Sequence, residues 1–218
     1  MPKPAAAAAL RSFALAAVAL GSSVVVAATS GAQDRRGVTA PRWRGEAGIA
    51  YSTPLVHDGN GTDVAPALAP TLGVAIAWDA GPRTVLAAGL RASRAGLRVD
   101  DGRADESAGA AWQADLLAGV EQQVVGCARP GARGCVSVRG AAGFGRLTGP
   151  DDVLPFRSGG SSFHPVGEVG LAARVASARP WYASLAAQAM RIGGASTGDP
   201  IAEPGTVTRI LLGVRYGR

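Results

Sequence analysis

Ser162, His164 and Glu168 are the residues of this chain whose types and spacing come nearest to a hydrolytic site. A hydroxyl, an imidazole and a carboxylate are what acyl transfer asks of a nucleophile, its base and the group that orients the base. In an extended segment the three share one face. Ser162 then stands about 7 Å from His164, and Glu168 about 13 Å from it, beyond hydrogen-bond reach. His164 is also followed by Pro165 and Val166, and the expectation is a loop histidine with no catalytic residue. His57 opens the run His57-Asp58-Gly59-Asn60-Gly61-Thr62-Asp63, a faint echo of a calcium loop. It lacks glycine at the sixth position and glutamate at the twelfth, where Ala69 stands, so a polar turn is expected and no metal. Cys127 and Cys135 flank a Pro-Gly turn, and in an exported chain such a pair predicts a disulfide closing a short loop. A metal or redox pair would need other ligands or tighter spacing. No cofactor is expected.

The charges that remain fall into phase with a period of two. Arg44 and Glu46, Arg83 and Arg91, Asp115 and Glu121, Glu168 and Arg174, and Arg209 and Arg215 each share one face of an extended segment. With Arg139 they predict a network of Arg44, Glu46, Arg91, Asp115, Glu121, Arg139, Glu168, Arg174, Arg209 and Arg215 facing one enclosed space. The opposite phase is apolar, as in Leu72, Val74, Ile76 and Trp78, or Ile210, Leu212, Val214 and Tyr216. The segments are eight, near 42–52, 68–78, 83–93, 110–126, 135–146, 164–176, 181–192 and 206–217. Connections at 79–82, 127–134 and 177–180 are short and rich in turn residues. Those at 53–67, 94–109, 147–163 and 193–205 are long. Short and long turns alternating in an even-stranded meander match short periplasmic turns and longer extracellular loops.

Alternation alone leaves open which face is outside, since a soluble lipocalin-like barrel puts the apolar face in. Two observations decide. The charge-bearing phase is otherwise made of small residues, such as Ala69, Thr71, Gly73, Ala75 and Ala77, which suit a crowded lumen. The apolar phase carries its aromatics at strand ends: Trp43, Trp78, Trp181 and Tyr216 at one, Tyr51, Trp112 and Phe144 at the other. Two aromatic rings belong at two membrane interfaces. The fold class expected is all-β, an eight-stranded antiparallel up-and-down transmembrane β-barrel.

The start of the chain agrees. Lys3 and Arg11, an apolar stretch from Phe13 to Ala28, and small residues at Ser30-Gly31-Ala32 predict a cleaved signal peptide over 1–32. A short periplasmic segment at 33–41 and the barrel at 42–218 follow. Without Lys3 and Arg11 the formal charge falls from +6 to +4, and every remaining basic residue is arginine. The arginines form no basic run and lack interleaved aromatics, which argues against nucleic acid.

In this architecture, and in a last strand that alternates apolar residues up to Tyr216, the chain resembles the small outer-membrane barrels of the OmpA, OmpX and OmpW kind. The resemblance implies the outer membrane, contact with its lipids and lipopolysaccharide, and recognition of the last strand by the barrel assembly machinery. Some relatives of that kind modify lipid A, which keeps a lipid A acyl-chain hydrolase using His164 as an alternative, beside a small ion-conducting pore. The acidic pairs Asp100-Asp101, Asp105-Glu106 and Asp151-Asp152 are expected to be solvated, with divalent bridging to lipopolysaccharide phosphates as their functional alternative. The expected role is structural or surface-interacting, through the loops, in a monomer.

Overall fold

The structure, a computed structural model, describes residues 40–57, 63–100, 105–126, 134–150, 163–175, 180–192 and 205–217. The expected signal peptide and all but the last two residues of the segment at 33–41 lie outside these residues, as do Cys127, Ser162, Asp101, Asp151 and Asp152.

Ten strands form: β1 (Arg42–Ser52), β2 (Val56–His57), β3 (Asp63–Pro66), β4 (Ala69–Asp79), β5 (Thr84–Asp100), β6 (Asp105–Val125), β7 (Val136–Thr148), β8 (Phe163–Arg174), β9 (Trp181–Ile192) and β10 (Gly205–Tyr216). Eight of them, all but β2 and β3, pair antiparallel with their chain neighbours, and β10 pairs with β1 to close the barrel. Closure leaves no exposed edge in the wall, which a bilayer requires because lipid cannot satisfy backbone groups.

The register fixes the shape. From Arg42 the pairing runs through Ala77, Ala87, Gly119, Ala141, Glu168, Gln188 and Arg209, and returns to β1 at Ser52, ten residues further on. With spacings of about 3.3 Å along a strand and about 4.8 Å between strands, that stagger tilts the strands by about 40°. Each residue then climbs the barrel axis by about 2.5 Å, and each step to the next strand by about 3 Å. On this scale Trp43, Trp78, Trp181 and Tyr216 fall at one level and Tyr51, Trp112 and Phe144 at another, roughly 20 Å higher.

Between the rings the apolar phase is outside. Leu72 is 68% exposed and Leu212 52%, whereas Asp115 and Glu168 are 1% exposed. The lipocalin-like alternative is overturned on this observation, because a soluble barrel would bury the leucines and expose the acids. No helix of the described residues is long and apolar enough to cross a membrane.

Two expected loops are strand instead. The sequence predicts a loop over 94–109, yet β5 runs to Asp100 and β6 begins at Asp105, and the two stay paired on both sides of one bulge. Residues 53–67 contain β2 and β3, with β3 laid against the top of β5. The physical reason is a continued alternation with its polarity reversed. Below the upper ring, Arg91 faces in and Leu90 out; at the ring Arg94 faces out, and above it Leu97 is 1% exposed while Arg98 faces out. The change coincides with a bulge between Gly96 and Arg98, opposite Gly109 at φ 90°, a backbone angle glycine adopts without cost.

Candidate functional site in the lumen and at its mouth

Inward side chains stack in layers from the short-turn end to the long-loop end. The lowest layer centres on Glu121, delivered by β6. Its carboxylate accepts bonds from Arg44 of β1 at 2.8 Å, from both terminal nitrogens of Arg215 of β10 at 2.8 Å each, and from the Ser137 hydroxyl of β7 at 2.6 Å. The Arg215 guanidinium also lies over the Tyr182 ring, 4.8 Å from its centroid, a favourable placement for a cation leaving water. Arg174 lies on the same phase at the rim below.

The next layer is a four-membered ring of alternating charge. Arg91 of β5 and Arg139 of β7 both donate to Glu168 of β8, and both reach Glu46 of β1, at 3.1 and 3.5 Å. Two arginines shared by two carboxylates keep each charge paired where water is scarce. A cavity of about 60 Å³ lies among these layers, lined in part by Arg44, Glu46, Arg91, Glu121, Arg139 and Glu168. That is room for a few waters.

Above it comes a neutralised layer. Asp115 accepts from the amides of Gln113 at 2.7 Å and Gln188 at 3.0 Å, with Arg209 at 3.6 Å. Arg209 donates onward to Gln188 at 3.2 Å and Ser93 at 2.9 Å. Gln113, Gln188 and Ser93 were not singled out from the sequence. Their inward phase between charged neighbours was the available signal.

The top layer is apolar. Leu55, Val64, Leu97, Leu147, Val166, Met190 and Val207 pack together, all buried, with Ala111. The ion pairs of the predicted network do not extend to the top of the lumen. They fill the part of the lumen between the rings, and a hydrophobic plug fills the mouth. The inward face can be apolar there because the outward face, now beyond lipid, is free to be polar.

His164 falls at this boundary. It is 6% exposed, faces inward opposite Gly145, and shares its phase with Val166 and Glu168. His164 is thus turned away from the lipid face. Among the described residues no group of His, Cys, Asp or Glu could hold a metal ion. Cys135 is buried at the foot of β7, and no described cysteine is free.

The chain matches no family model and no curated protein. Among solved structures it is similar to the outer membrane protein OprG from Pseudomonas aeruginosa, at 15% identity over 85% of this chain and 99% of that one, with a TM-score of 0.49. Neisserial surface protein A is similar at 12% identity, covering 83% and 99%, with a TM-score of 0.47. The attachment invasion locus protein Ail of Yersinia pestis, in complex with the heparin analogue sucrose octasulfate, is similar at 12% identity, covering 83% and 100%, with a TM-score of 0.46. At such identities no residue role transfers.

Proposed function

We propose that this chain is an outer-membrane barrel that serves as a rigid display scaffold, structural in the bilayer and interacting through its extracellular crown. One observation carries the reading: the alternation reverses polarity at the upper aromatic ring. Below the ring the wall is built for lipid. Above it β2, β3 and the tops of β5 and β6 form a water-facing sheet over an apolar core that they share with the upper ends of β7 to β10. Binding residues favour loops and edges held by a rigid base, and this base is locked by buried ion pairs.

The barrel is monomeric, lies among outer-membrane lipids and lipopolysaccharide, and is assembled through β10. The outward row Ile210, Leu212, Val214 and Tyr216 of that strand supports the last point, with Tyr216 packed on Trp181 at 4.8 Å between ring centroids. A pore finds no support in a lumen filled by paired charges and capped by leucine and methionine. A lipid A hydrolase finds none in an inward His164.

The test shortens the β5–β6 hairpin by replacing residues 97–108 with a two-residue turn. The shortened barrel still migrates faster unboiled than boiled on SDS gels, while adhesion of cells to surfaces or to one another is lost. A stable open conductance of the intact protein in planar bilayers would overturn the reading in favour of a pore. A lipid A acyl chain lost in a His164-dependent way would overturn it in favour of an enzyme.

A further inference from the structure

Between the two aromatic rings the outward face of the described strands carries no charged side chain. At the upper ring it carries three: Arg94 on β5, Arg146 on β7 and Arg191 on β9, all exposed. Their places in the register put them within about 3 Å of one another in height. Arg94 stands opposite Trp112 and lies over its ring, 5.6 Å from the centroid. Arg146 is two residues beyond Phe144 on the same outward face. None of the three forms an ion pair with another described residue, whereas the arginines inside the barrel are paired.

We infer that Arg94, Arg146 and Arg191 form a collar that binds the phosphate groups of lipids in the outer leaflet, with phosphorylated lipid A as the occupant. The argument is electrostatic and geometric. A guanidinium beside an interfacial aromatic sits at headgroup depth, and its planar fork matches phosphate oxygens. The outward charge is also one-sided, since the lower ring of Trp43, Trp78, Trp181 and Tyr216 has no outward arginine among the described residues. A collar on one face only fits a bilayer whose two leaflets differ in anionic phosphate, and the loop-bearing leaflet is the lipid A leaflet. The three lie on alternate strands, so each meets a different part of the lipid annulus from β5 to β9. In this position an arginine takes over from the divalent cations that otherwise bridge lipid A phosphates.

The inference rests on the outer-membrane reading, and the test separates the two. Wild-type and R94Q/R146Q/R191Q barrels are folded into phosphatidylcholine vesicles holding a small fraction of bisphosphorylated or dephosphorylated lipid A. They are then extracted in mild detergent, and lipid A per folded barrel is weighed by mass spectrometry. The expected result is enrichment of the bisphosphorylated form by wild type, with affinity about a hundredfold lower in the triple variant. No enrichment of the dephosphorylated form and no displacement by millimolar inorganic phosphate complete the expected set. Equal retention of the two lipid forms by wild type would overturn the collar, and that comparison needs no variant. Equal retention of phosphorylated lipid A by both proteins would also overturn it. Displacement by inorganic phosphate would assign the arginines to free phosphate instead of lipid, again overturning it. A wild-type chain that inserts into no vesicle would overturn the membrane reading itself.

Discussion

Arg215 holds Glu121 with both ends of its guanidinium, at 2.8 Å to each carboxylate oxygen, while Arg44 shares the same carboxylate at 2.8 Å. All three are buried, so two cations share a single carboxylate at the foot of the lumen. Glu121→Gln therefore takes from Arg215 the carboxylate it holds with both ends, and from Arg44 one of its buried partners. The expected cost is about 3–5 kcal/mol, as for other buried pairs that lose one partner. Arg215→Gln keeps the Arg44–Glu121 pair and costs less. Urea unfolding of the two variants in vesicles gives the comparison, and equal midpoints would show that the carboxylate does not hold the layer together.

The apolar plug predicts a different signature. Leu97 is 1% exposed and touches the cluster of Leu55, Val64, Leu147, Met190 and Val207. Leu97→Ala removes buried contacts at about 2–5 kcal/mol. Because the plug stands at the mouth, above the ionic layers, the loss should be local. Protease cleavage of β5 and β6 above Arg94 rises, while the fraction of barrel folded on unboiled gels stays as in wild type. A parallel fall in both would mean that crown and barrel unfold as one unit.

How much of this was legible beforehand depends on which side of the upper ring a residue lies. Between the rings one rule holds for each strand, so Leu72, Asp115 and Arg209 betray their faces by parity alone. At Arg94 the solvent on the outside changes from lipid to water, and the same parity carries the opposite chemistry. Leu97 and Val99 then look like a break in the pattern when they continue it. The bulge at Gly109 adds one residue to β6 and shifts its phase, which hides the strand further. Pairing within the lumen was illegible for another reason. Arg91 and Glu168 are 77 residues apart, and only the closed register brings them together.

The cysteines give a third expectation, carried by the burial of Cys135 at the start of β7. A Cys127–Cys135 bridge would close a short loop on the short-turn side. Removing it as C127S/C135S, or by reduction, should lower stability by about 2–3 kcal/mol through freedom returned to the unfolded chain. Mass shifts after alkylation with and without reductant check the bridge itself. Two thiols alkylated in unreduced protein from the envelope would rule it out.

The last prediction concerns how closely β6 and β7 approach. A Cβ added at Gly143 would meet the Leu116 carbonyl oxygen of β6 at 1.9 Å, inside the contact distance of any two heavy atoms. Leu117 is paired with Gly143 in the β6–β7 register, so the methyl would push apart two hydrogen-bonded strands that lie about 4.8 Å from each other. In a closed barrel that push cannot be relieved at an edge, because each strand is held on both sides. Gly45 is the control: it also lies in a paired strand, and a Cβ there meets nothing within 4 Å. Gly143→Ala is expected to leave most of the protein in the slow, unfolded band of an unboiled gel, and Gly45→Ala to fold as wild type. If Gly143→Ala folded in full yield, the close approach of β6 and β7 would be wrong, and with it the register that stacks the luminal layers.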